Sequence, residues 1–83
     1  MNKRLEIYKS FGVRLENRFI IYETSNKKVA IPYHHIAYLN LSGENLVIQT
    51  DSMERLTINL NDKETAEKLF EDILIFIERL HIK

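Results

Sequence analysis

The chain reads as an α+β fold: a strongly bent antiparallel sheet, or partly open barrel, of about seven short strands capped by one C-terminal amphipathic helix. Three observations carry this. Apolar residues recur with a helical period over Asn61–Ile82. Short stretches of alternating apolar and polar residues occupy everything before it. The connections between those stretches are only a few residues long, which suits antiparallel neighbours, because parallel strands need long crossovers.

In chain order, Lys3–Lys9 alternates, with Leu5 and Ile7 on one face and Arg4, Glu6 and Tyr8 on the other, and is predicted as a strand. Ser10-Phe11-Gly12 supplies a turn before the alternation resumes at Val13–Glu16. Asn17-Arg18 connects to Phe19–Glu23, where Phe19, Ile20, Ile21 and Tyr22 are apolar on both faces and leave the buried face open. Val29–Ile31 is a short strand that Pro32 stops, since proline cannot donate to a sheet ladder. Ile36–Leu41 and Leu46–Thr50 flank the hairpin loop Ser42-Gly43-Glu44-Asn45. Arg55–Leu60 alternates most regularly, with Leu56, Ile58 and Leu60 inward.

The closing helix sets Ala66, Leu69, Phe70, Ile73, Ile77 and Leu80 along one stripe. Asn61 is the predicted cap, with Glu64 reaching back to it. Burying each large side chain of that stripe is worth about 1.5–3 kcal/mol, so the helix requires a broad apolar partner. Glu71 and Asp72 are assigned to its solvated face.

At 83 residues the chain is expected to form a single domain spanning 1–83, with room for one modest core and no deep active-site cavity beside it. There are no cysteines, which excludes disulfide and thiolate chemistry. No secretory leader or membrane-spanning run is visible, and a cytoplasmic location is the default expectation. The net charge is zero but unevenly spread. Residues 1–35 carry seven Lys/Arg against three Glu, and residues 36–83 carry five Lys/Arg against nine Asp/Glu.

The strand pair Gly12-Val13-Arg14-Leu15-Glu16-Asn17-Arg18-Phe19-Ile20-Ile21-Tyr22 and the junction Ile31-Pro32-Tyr33-His34-His35-Ile36 resemble the bacterial pleckstrin-homology-like (PH-like) domains, which are related in shape to GRAM domains. The strands Leu46–Ile48 and Leu56–Leu60 and the terminal helix extend the likeness over about residues 11–80. The resemblance implies a seven-stranded, partly open barrel closed by the helix, and a binding module without an activity of its own. Members of that family that bind phosphoinositides carry a basic cluster in the first hairpin, where Lys9 and Arg14 stand here.

No catalytic constellation emerges. His34 and His35 are neighbours that a strand would point to opposite faces, so no metal site is expected. Ser10, Ser25, Ser42 and Ser52 fall in predicted turns, and two glycines supply no phosphate-cradling loop. No cofactor is expected, and the chain is expected not to be an enzyme. Tyr8, Ile20, Tyr22, Ile36 and Tyr38 lie opposite the presumed core faces of their strands, and Ile75 lies across the helix from Ala66. Exposed together they would form a surface too apolar to stay bare.

The expected function is therefore a non-enzymatic interaction module that binds a protein partner or itself, with a homo-oligomer favoured. The alternative is an anionic-ligand binder, for phosphoinositide headgroups or nucleic acid, through Lys9, Arg14, Arg18, Lys27 and Lys28. The acidic second half argues against nucleic acid, and a peripheral membrane contact ranks behind a protein partner.

Overall fold

The computed structural model describes residues 3–81, apart from the last side chain. A helix α1 (Lys3–Lys9) leads into strands β1 (Val13–Leu15), β2 (Phe19–Glu23) and β3 (Lys28–Pro32). A 3₁₀ turn (Tyr33–His35) follows, then strands β4 (Ile36–Ser42), β5 (Asn45–Thr50) and β6 (Arg55–Asn59), and a helix α2 (Lys63–His81). The strands form two antiparallel sheets, β1-β2-β3 and β4-β5-β6. The α+β class and the C-terminal helix match the sequence reading. The strand count and the barrel do not: the described residues hold six strands in two sheets, with no single open barrel. The break falls at Pro32, where the ladder loses a donor and the 3₁₀ turn redirects the chain into β4.

The expected first strand is the helix α1. Its inward residues are Leu5 and Tyr8, three apart, while Ile7 points outward. A helix of seven residues does not hold itself together. Here Ser10, Phe11 and Gly12 donate back to the carbonyls of Ile7, Tyr8 and Lys9 and close its last turn. Gly12 has φ 84°, and its carbonyl accepts from the Glu23 N–H at 2.8 Å. A Cβ at Gly12 would collide with the Glu23 carbonyl oxygen, so only glycine lets β1 start this close to the end of β2.

Register decides the faces. Leu15, Ile20 and Ile31 align across the first sheet, as do Val13, Tyr22 and Val29, and both rows face inward. In the second sheet Leu46 and Ile58 pair, as do Ile48 and Leu56, on the core side. An irregularity between Ile36 and Tyr38 lets Ile36 and Leu39 both lean on the core while Tyr38 turns out. One core joins both sheets to Ala66, Leu69 and Ile73 of α2. That helix packs on β4, β5 and the 3₁₀ turn, where Phe76 meets the Tyr33 ring at 5.5 Å.

The cap of α2 is Asp62, one residue later than expected. Its Oδ2 accepts from the Thr65 N–H at 3.0 Å and from the Thr65 hydroxyl at 2.8 Å. Asn61 instead takes a left-handed conformation, φ 60°, to turn the chain out of β6. The helix end expected at Ile82 lies outside the described residues.

Candidate functional site

Asp72 is the one buried acid among the described residues, and the expectation that it faces solvent is overturned. The Tyr8 hydroxyl donates to its Oδ2 at 2.6 Å and Arg4 Nη1 donates to its Oδ1 at 2.8 Å. Burial, and then the hydrogen bond to the Asp72 carboxylate, push the Tyr8 phenol well above its ordinary range, so it stays a neutral donor. Both carboxylate oxygens are thereby occupied. The cluster ties α1 to α2. Tyr33 is similar: burial raises its phenol, the Glu16 charge adds to this, and its hydroxyl donates to the Glu16 carbonyl at 2.7 Å.

The six expected contact residues do not form one surface. Tyr8 and Ile20 are each 1% exposed and belong to the core, which corrects their assignment to an outward face. Tyr22 and Ile36 are half-buried against that core. Tyr38 is 54% exposed on the outer face of the second sheet, in line with Gln49 and Arg55. Ile75 is 45% exposed beside Leu5, Phe76 and Arg79, between the two helices.

The apolar outer surface lies elsewhere, on the first sheet. Phe19 pairs with Pro32, and Ile21 pairs with Ala30, so four apolar residues form a contiguous block on the side away from the core. Phe19 is 38% exposed, Ala30 is exposed, and Ile21 and Pro32 are half-exposed. Arg14 continues the Ile21–Ala30 row, Glu23 and Lys28 form the next one, and Arg18 precedes Phe19 in the turn. By contrast, the outer face of the second sheet carries Asn40, Thr57, Asn45, Asn59, Gln49 and Arg55 around half-buried Val47 and exposed Tyr38. The sequence signal for the apolar block is the parity shared by Phe19/Ile21 and Ala30/Pro32, which only the β2–β3 register turns into one patch.

The five candidate anion-binding residues are divided. Lys9 and Arg14 flank a shallow hollow on the β1 side, with Glu16 at 3.9 Å from Arg14. Lys27 lines a groove on the opposite, β3 side of the sheet, and Lys28 stands across from Glu23. They do not converge on one ligand.

That groove, of about 330 Å3 in its larger part, separates the outer edge of β3 from the turn between β5 and β6. His35 Nδ1 meets Asp51 Oδ2 there at 3.3 Å, and the Ser52 hydroxyl pairs with Thr50 at 3.0 Å. The rings of His34 and His35 meet at 4.4 Å, tilted by 37°. Among the described residues no three His, Asp or Glu side chains gather to hold a metal ion, and no helix is long and apolar enough to cross a membrane. No family model, curated protein or solved structure matches the chain.

Proposed function

We propose that the chain is a protein-interaction module on the PH-like plan, with the outer face of its first sheet as the contact surface. The observation that carries the reading is the Phe19/Pro32–Ile21/Ala30 block. It is a sheet face left uncovered by either helix and apolar across two paired strands. What supports the PH-like plan is the order of two three-stranded meanders followed by one long helix. The departures from it are the helix α1 in place of a first strand and two separate sheets in place of one open barrel. The anion-binding alternative is the weaker reading, because its five cations split between two sides of the sheet.

Site-specific photocrosslinking in the native host tests this reading. A benzophenone side chain at position 19 should yield discrete protein adducts, and one at Thr57, on the polar outer face, should not. Equal adducts at both positions would sink it. So would the absence of adducts at either together with salt-sensitive retention on phosphoinositide vesicles, an outcome that favours the anionic ligand.

A further inference from the structure

The helix α2 carries a surface complementary to the first sheet. Glu67, Glu71, Leu74 and Glu78 follow one another at helical spacing and are all exposed, with Ile75 beside them. Leu74 is 40% exposed, so this stripe presents an apolar centre within an acidic border. Two cations of α2 are engaged elsewhere, Lys68 with Glu64 at 3.5 Å and Arg79 over the Phe76 ring at 5.4 Å, while exposed Lys63 stands at the start of the helix, four residues before Glu67. Among the described residues Glu67, Glu71 and Glu78 form no ion pair within the chain. The first sheet has an apolar centre of Phe19, Ile21 and Ala30 with Arg14 and Lys28 at its border and Arg18 in the turn before Phe19, although Glu16 lies 3.9 Å from Arg14 and Glu23 stands across from Lys28.

We propose that the first sheet of one copy receives α2 of a second copy, in a head-to-tail contact. This rests on the reading of the sheet face as a binding surface and names its occupant. Leu74 and Ile75 cover the Phe19–Ile21 block, and the Glu71 and Glu78 carboxylates meet the Arg14 and Arg18 guanidiniums. Like charges would oppose a symmetric contact of the helix face with itself, whereas its carboxylates and the Arg14 and Arg18 side of the sheet attract. Because those faces differ, the contact is heterologous, and each copy keeps one free sheet and one free helix for further copies.

Sedimentation velocity from micromolar to submillimolar concentration tests it through complementation. Wild-type protein should build a concentration-dependent series. Phe19→Glu spoils only the sheet and Leu74→Lys only the helix, so each alone should be monomeric. Mixed in equal amounts, they should form a dimer and nothing larger, since one intact sheet meets one intact helix. Circular dichroism of each monomer checks its fold. A second set, Arg14→Glu/Arg18→Glu mixed with Glu71→Lys/Glu78→Lys, should lose association singly and regain it together. The proposal is overturned if the wild type stays monomeric, if either single variant still associates alone, or if neither mixture assembles. A monomeric wild type that still gives crosslinks to other proteins at position 19 would remove the self-contact and leave the interaction module standing.

Discussion

Asp72 shares its helix with the exposed Glu67, Glu71 and Glu78, yet both of its oxygens are held, by Tyr8 at 2.6 Å and by Arg4 at 2.8 Å. The consequence is a dependence on pH at the alkaline end. Burial raises the phenols of Tyr8 and Tyr33 in the fold, while in the unfolded chain they ionise near the ordinary value of about 10. Their contribution to stability is therefore complete below about pH 10 and is lost as pH rises from there towards the folded values. Each such tyrosine adds up to about 1.4 kcal/mol of lost stability per pH unit in that window. Urea midpoints followed from pH 8 to pH 12 should fall above about pH 10, and Tyr8→Phe/Tyr33→Phe should flatten the fall while lowering stability at neutral pH. An identical alkaline loss in the double variant would assign it to other groups.

Among the elements, α2 is the one whose removal from the core would cost most, because Ala66, Leu69 and Ile73 are all fully buried in the one core where the helix packs on β4, β5 and the 3₁₀ turn. Ile73→Ala should cost about 2–5 kcal/mol in urea denaturation, through the cavity it leaves between helix and sheets. Phe70→Ala should cost less, since Phe70 is only half-buried. Near-neutral behaviour of Ile73→Ala would place the wrong face against the sheets. This helix was legible in the sequence because its period runs over five turns, strands β1 and β3 to β6 because alternation and short turns agree, and β2 from its apolar run between turns. The helix α1 was not. Two turns cannot separate a period of two from one of 3.6, and the bonds that stabilise it come from Asp72, 64 and 68 residues away. The same distance hid the Asp72 site: sequence spacing places the residue beside Glu71, and only the docking of α1 takes it out of water. In β2, four apolar residues in a row carry no parity, so the exposed block at Phe19 and Ile21 became visible only through its pairing with β3.

For the molecule as a whole, two sheets of equal strand number share one core but are not equally enclosed. β5 lies between β4 and β6, with Leu46 and Ile48 fully buried and α2 packed across it. β3 lies at the edge of its sheet, with a groove along its outer side and exposed Lys28 and Ala30. Hydrogen exchange reports the free energy of the opening that frees each amide, and buried central strands open only with the whole molecule. In dilute solution the amides of β5 should exchange slowest, at a rate set by global unfolding, while those of β3 should exchange faster through opening of the edge alone. Denaturant should then accelerate β5 steeply and β3 little, because the edge opening exposes little new surface. Equal protection and equal denaturant dependence in both strands would mean that the two sheets unfold as one unit and that the β3 edge does not open on its own.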